Sequence, residues 1–183
     1  EKGVPCGGGG YAGPVKEIFI QQFAHEELVW RRRHHRGYVE TLVSNNLWCE
    51  RELFLAKGGF PEAYHAASSE DMEFSWAVSR DHKLWWDPDN GVFHDFADTV
   101  RGYLRQQIRF AKDAVPMLLG NRALVGGRQT HHGKQLYVEI ACTGLGIVCF
   151  PLFLGVLAAN GGFLAENLRK RGPEFAAKAM GMA

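Results

Sequence analysis

The chain has 183 residues, of which 46% are hydrophobic, so it can bury a sizeable core and is not a disordered tail. Its formal net charge of +1 gives no general reason to expect nucleic acid as a partner. The four cysteines have no CxxC or CxxH spacing, which argues against a zinc module or a disulfide framework and favours a reducing cytosol.

The N-terminal third alternates glycine-rich and apolar segments. The glycines between Gly7 and Gly13 predict a loop, and Pro14 can occupy the first turn of a following helix, whose basic end stops at Gly37. The β-branched and apolar residues of 38–43 predict a strand, and Ser44-Asn45-Asn46 predicts a turn after it.

Two helices are predicted next. One covers 50–57 and stops at Gly58-Gly59. The other covers 70–80, because Ser68 or Ser69 can accept a hydrogen bond from a free amide at its start. The first turn of this helix contains three crowded acids, Glu70, Asp71 and Glu73.

The next segment predicts a strand at 83–86, a proline-containing turn at 87–91 and an extended piece at 92–94. A helix is predicted from Thr99 to about Lys112. Its basic residues recur at three- and four-residue spacing and therefore share one face. They are Arg101, Arg105, Arg109 and Lys112.

The C-terminal part predicts a basic connector at 120–136, a transmembrane or membrane-associated helix at 137–165 and a basic tail at 166–183. Within it, 140–159 carries no charged residue and is about long enough to cross a bilayer core, although a buried or interfacial helix is the alternative. We therefore expect a location at the cell membrane, with the part of the chain that precedes this segment, 1–119, on the cytoplasmic side.

Four landmarks in one order resemble family-2 glycosyltransferases. They are an asparagine and arginine-containing segment at 45–54, the Gly-Gly-Phe sequence with a following acid at 58–62, the Glu-Asp pair at 70–71 with a histidine at position 94, and Gln106 to Phe110, which is similar to QxxRW. Pro61 and Phe110 depart from the family pattern, the second by replacing its tryptophan.

The resemblance implies an α/β fold of the GT-A (Rossmann-like) type, with 1–119 as the acceptor-side half of the domain. It implies inverting transfer of a sugar from a nucleotide-diphosphate donor to a glycan or lipid-linked acceptor, with Mg²⁺ or Mn²⁺ as cofactor. The family's donor-binding half and its acidic metal motif have no counterpart in this chain. We therefore expect a fragment of a longer enzyme that is inactive alone, with the other metal ligands outside it.

The resemblance assigns the catalytic base to Asp71, with Glu70 and Glu73 as supporting acids. The chemistry agrees, because an inverting transfer needs a base beside the attacking hydroxyl. Burial and the charge of Glu70 would both raise the proton affinity of the Asp71 carboxylate. The alternative is that these acids only stabilise the N-terminus of a helix.

The other site residues carry alternatives of the same kind. His94 is either a metal ligand, as the resemblance implies, or a packed side chain. Arg105, Gln106 and Arg109 are candidates for phosphate or acceptor contacts, because guanidinium groups bind oxyanions bidentately. The alternative for Arg105 is a solvated helix face. A membrane-anchored binding or scaffolding protein without activity, or an inactive remnant of the enzyme, would be the alternative function.

Overall fold

The computed structural model describes residues 3–64, 68–120 and 160–181. The chain divides into two compact units, Glu1–His131 and His132–Ala183. The first unit is α/β and contains a four-stranded mixed sheet. The predicted α/β class is therefore confirmed for this unit.

The sheet of the first unit has the strand order β2-β4-β1-β3. The two central strands, β1 and β4, are parallel, and each short edge strand is antiparallel to its neighbour. The strands are β1 (Cys6–Pro14), β2 (Gly37–Val39), β3 (Leu47–Cys49) and β4 (Leu84–His94).

The glycine-rich segment is a central strand, so the predicted loop is wrong. Close neighbours explain its composition. A Cβ atom on Gly7 would lie 2.6 Å from the ring of Trp48, and one on Gly9 would lie 2.0 Å from the carbonyl oxygen of Asn90. Glycine allows the flanking strands and an indole ring to approach this closely.

The second central strand, β4, is continuous through the predicted turn at 87–91, so that prediction is also wrong. Its pairing with β1 shifts register between Gly9 and Tyr11 and again between Tyr11 and Gly13. Such irregularities let a strand accommodate a proline without a regular ladder of hydrogen bonds. The strand predicted at 38–43 is shorter than expected, because β2 ends at Val39.

Within the described residues of the first unit, 3–64 and 68–120, the helices agree with the sequence pattern in number and approximate position. They are α1 (Phe19–Arg32), α2 (Arg51–Ala56), α3 (Glu70–Ser79) and α4 (Val100–Gly120). The predicted serine cap on α3 is not formed by Ser69, whose side chain makes no capping hydrogen bond.

The main core lies between α3 and one face of the sheet. Phe74 and Val78 of α3 pack there with Leu84 and Trp86 of β4. Phe54 and Phe60 cover the edge of this cluster and contact Phe74, with ring centroids 5.0 and 5.3 Å away. In this packing, the first turn of α3 contacts the segment that connects β2 to β3.

The described part of the second unit consists of α5 (Gly161–Arg171) and α6 (Pro173–Met180). Gly172 joins them with a positive φ of 85°, a conformation that glycine adopts easily.

The predicted membrane-spanning helix at 137–165 is not supported, and the predicted fold class is wrong in this part. No helix within 3–64, 68–120 or 160–181 is sufficiently long and apolar to span a bilayer. Residues 137–159 lie outside the described residues, and the remainder, 160–165, opens α5. That helix has 11 residues and ends in Arg169-Lys170-Arg171, whereas a spanning helix needs about 20 mainly apolar residues.

Candidate active site

Asp71 lies in the first turn of α3 and is only 8% exposed. Its Oδ2 atom accepts a hydrogen bond of 2.7 Å from the backbone N–H of Ser44, and its Oδ1 atom accepts one of 2.7 Å from the N–H of Met72. Both carboxylate oxygens are therefore fixed by backbone groups, one of which comes from a different element.

Ser75, one turn further along α3, holds the same neighbouring segment. Its Oγ atom accepts a hydrogen bond of 2.9 Å from the buried N–H of Leu42, and its hydroxyl lies 3.2 Å from the carbonyl oxygen of Met72. The segment from Leu42 to Ser44 is thus tied to α3 at two points. This double attachment determines where the Asp71 carboxylate lies.

The environment of Asp71 favours its protonated form. Burial raises the pKa of this carboxyl above its ordinary value, and the nearby charge of Glu70 acts in the same direction. The hydrogen bonds from Ser44 and Met72 oppose the rise without cancelling it. The ionised side chain is therefore a stronger base than a free aspartate.

The two other acids of the first turn organise the segment that precedes α3. Glu73 accepts a hydrogen bond of 2.6 Å from the hydroxyl of Tyr64, and Glu70 accepts one of 2.6 Å from the N–H of Ser68. Burial and Glu73 together raise the pKa of Tyr64. Glu70 acts on Asp71 through its charge, whereas Glu73 binds the hydroxyl of Tyr64 in the segment before α3.

Tyr11, Arg32, Asn45 and His94 form a group of side chains that we call the Tyr11 cluster. The hydroxyl of Tyr11, on β1, receives hydrogen bonds from Asn45 Nδ2 and from Arg32 Nη1, the latter at 3.2 Å. Asn45 directly follows Ser44, the residue that binds Asp71. The cluster and the buried acid are therefore linked through adjacent backbone positions.

Arg32 is the buried cation of the Tyr11 cluster. Its guanidinium lies 5.2 Å from the ring centroid of Tyr11 and 5.0 Å from that of Trp86, distances at which cation–π attraction operates. Burial lowers the pKa of Arg32, and the charge of Asp71 opposes this change. Arg32 and Asp71 thus stabilise each other's charged form within the same buried region.

His94 is the last residue of β4 and the fourth member of the cluster. Its ring contacts Phe96 and Tyr11 edge-on, with centroids 4.6 and 5.9 Å away. Burial lowers the pKa of His94, with Asp95 opposing the change, so the imidazole is neutral at neutral pH. A neutral imidazole can act as a metal ligand.

The described residues do not by themselves assemble a metal site. Within those ranges no group of three or more His, Cys, Asp or Glu side chains is placed to hold a metal ion. His94 can supply one nitrogen ligand, and the predicted Mg²⁺ or Mn²⁺ would need its other ligands from elsewhere.

The predicted phosphate contacts all lie on α4. Arg105 and Arg109 are exposed on α4, and Gln106 is half-buried. Arg109 lies 5.5 Å from the ring centroid of its neighbour Phe110. Among the described residues, no hydrogen bond or ion pair joins these three side chains to Asp71 or His94.

Sequence reasoning missed Tyr11 and Arg32. Tyr11 lies in a segment that the sequence pattern interprets as a loop, whereas in the structure this segment is β1 and pairs with β4. Arg32 belongs to the run Arg31-Arg32-Arg33, in which the sequence does not distinguish the buried member from its half-buried and exposed neighbours. Asn45 enters the sequence analysis only as part of a predicted turn and of the glycosyltransferase resemblance.

No protein-family model, curated protein or solved structure matches this chain.

Proposed function

We propose that this chain forms the acceptor side of an inverting glycosyltransferase that moves a sugar from a nucleotide-diphosphate donor to an acceptor hydroxyl. The observation that carries the proposal is the state of Asp71. It is a buried carboxylate with a raised pKa, held by two backbone N–H groups next to a cluster of polar and aromatic side chains. The order of landmarks in the sequence supports the same function.

In the proposed reaction, Asp71 accepts the proton of the acceptor hydroxyl while that oxygen attacks the anomeric carbon of the donor sugar. The bond from the anomeric carbon to the diphosphate oxygen breaks on the opposite face, and the nucleoside diphosphate leaves with its electron pair. The configuration at carbon is inverted. General-base assistance of this kind contributes about 10²- to 10⁴-fold to a rate.

The Tyr11 cluster has a supporting role in the proposal. The buried guanidinium of Arg32 places one positive charge in this region, which opposes the rise in the pKa of Asp71 and would favour a negatively charged leaving group during reaction. Tyr11 and Asn45 hold the position of that guanidinium and of the segment that binds Asp71. Arg109 and Gln106 remain the proposed contacts to a phosphate or to the acceptor.

The test compares Asp71→Asn with Asp81→Asn in the complete protein that contains this chain. Asp81 follows the same helix, and its side chain is exposed and paired with Lys57, so it is a matched carboxylate outside the site. With nucleotide-sugars as donors, Asp71→Asn should lower kcat by about 10²- to 10⁴-fold with little change in donor affinity. Asp81→Asn should retain the wild-type rate.

Two results would contradict the proposal. Normal turnover by the Asp71→Asn variant would remove the assigned base. Donor binding without any transfer by the wild-type protein, for every nucleotide-sugar tested, would instead favour the non-catalytic binding protein or inactive remnant.

A further inference from the structure

The solvent-facing side of α4 carries two parallel rows of residues. The apolar ridge consists of Val100, Leu104 and Ile108, which are 45%, 48% and 57% exposed. The basic ridge consists of four exposed residues, Arg101, Arg105, Arg109 and Lys112. Because residues three and four apart lie on one face of a helix, the two ridges run side by side along the same surface.

The opposite side of α4 is fixed against the first unit. Tyr103 is buried, packs edge-on against Phe23 at 5.7 Å and donates a hydrogen bond from its hydroxyl to Glu27. Rotation of α4 that would hide the apolar ridge would break these contacts. The ridge therefore faces outward because of how α4 packs.

The charge of this surface is of one sign. The sequence from Val100 to Lys112 contains no aspartate or glutamate. In the parts of the chain that the structure describes, no ion pair involves any of the four basic side chains. Three large aliphatic side chains thus lie exposed next to four basic side chains that form no ion pair within the described residues.

We propose that this face of α4 binds the surface of an anionic lipid bilayer, with the helix parallel to the membrane plane. The apolar ridge would enter the boundary between headgroups and acyl chains, and the basic ridge would contact the anionic headgroups. Helices that lie in this interface combine an apolar face with a face rich in lysine and arginine. The interaction adds to the proposed activity and does not depend on it.

Other occupants explain only one of the two ridges. Nucleic acid would attract the basic ridge through its phosphates but would leave the aliphatic side chains in water. A second copy of the chain, packed antiparallel through this face by twofold symmetry, would bring like charges of the two basic ridges close together. An anionic bilayer offers an apolar environment to the apolar ridge and negative charge to the basic ridge.

The test measures co-sedimentation of the full 183-residue chain with large unilamellar vesicles. We compare phosphatidylcholine vesicles with phosphatidylcholine vesicles that also contain phosphatidylglycerol. Binding should be stronger to the anionic vesicles and should weaken as salt is added, because salt screens the attraction between exposed charges.

Two double variants test the two ridges. The double variant Arg101→Gln with Lys112→Gln should bind anionic vesicles roughly thirtyfold more weakly than the wild type. Each basic residue near the membrane surface contributes a factor of about five, and the two factors multiply. Leu104→Ser with Ile108→Ser should weaken it roughly tenfold to hundredfold by removing apolar area. Arg101 and Lys112 are outside the proposed active site, so this result is separate from that of the activity test.

Matched controls come from α2. Leu55 is 60% exposed and Arg51 is exposed, so Leu55→Ser and Arg51→Gln remove the same chemical groups from another helix. Both should bind anionic vesicles like the wild type. Far-ultraviolet circular dichroism checks that every variant is folded.

Three results would overturn the proposal. The first is no binding of the wild-type chain to anionic vesicles. The second is equal binding by both α4 double variants and the wild type, which would place the lipid contact elsewhere, for example at the uncharged sequence 140–159. The third is a dimer in sedimentation equilibrium that the Leu104→Ser and Ile108→Ser changes dissociate while vesicle binding stays the same.

Discussion

The first turn of α3 and the outer face of α4 both carry charged residues that the sequence singles out, yet the two regions hold them differently. Asp71 on α3 is buried and receives a hydrogen bond from Ser44 in another segment. Arg105 and Arg109 on α4 are exposed and extend from a regular helix. The chemistry of the acid therefore depends on tertiary packing, whereas the arrangement of the bases depends on helical periodicity alone.

This difference has an energetic consequence. Burial of Asp71 changes its proton affinity, because water no longer stabilises its charge. The exposed guanidinium groups of α4 keep their hydration, and substitutions at such positions usually change stability by less than about 0.5 kcal/mol. A site for proton transfer fits the first region, and a surface for a charged partner fits the second.

The largest expected effect tests the packing behind α3. Phe74→Ala removes a buried ring that contacts Phe54 and Phe60, and it should lower the free energy of unfolding by about 3–5 kcal/mol. Ile108→Ala, on the exposed side of α4, should change it by less than about 0.5 kcal/mol. Urea unfolding followed by tryptophan fluorescence measures both. Equal losses would mean that the two helices are packed alike.

A smaller loss is expected for the hydrogen bond that ties α3 to the chain before it. Ser75→Ala leaves the buried N–H of Leu42 without its acceptor, which should cost about 1–3 kcal/mol. Ser79→Ala is the matched control, because that hydroxyl donates only to the Trp76 carbonyl oxygen one turn back in the same helix. The same unfolding measurement applies, and a larger loss for Ser79→Ala would contradict the double attachment.

The last expected effect is a dependence on pH. Because the pKa of Asp71 is raised in the folded protein, the folded state holds this proton more tightly than the unfolded chain does. The resulting stabilisation is complete below the ordinary aspartate pKa of about 4 and is lost as the pH rises through the raised value. Asp71→Asn should therefore gain stability relative to the wild type over that interval.

Unfolding of the two proteins at a series of pH values, with constant ionic strength, measures this difference. A relative stability that stays constant with pH, or that moves in favour of the wild type as the pH rises, would contradict a raised pKa for Asp71.

The sequence predicted the helices better than the strands. The start of α3 at Glu70 was predicted correctly from the serines before it, although Ser69 forms no capping hydrogen bond, and α4 was predicted from bases at three- and four-residue spacing. These signals are local, because each helix satisfies its own backbone hydrogen bonds. The sequence predicts a loop for β1 because a run of glycines shows no alternation of apolar and polar residues. Glycine is needed there because the ring of Trp48, on a neighbouring strand, lies too close for a larger side chain.

The candidate site divides in the same way. The sequence alone identified Asp71 as an acid in the first turn of a helix, and it identified the basic ridge of α4 from residue spacing. Only the tertiary structure decided that Asp71 is buried, that Ser44 holds it, and that Arg32 is the member of its arginine run that joins Tyr11. The physical reason is range: helical periodicity acts over three or four residues, whereas desolvation and pairing of a buried charge depend on segments distant in sequence.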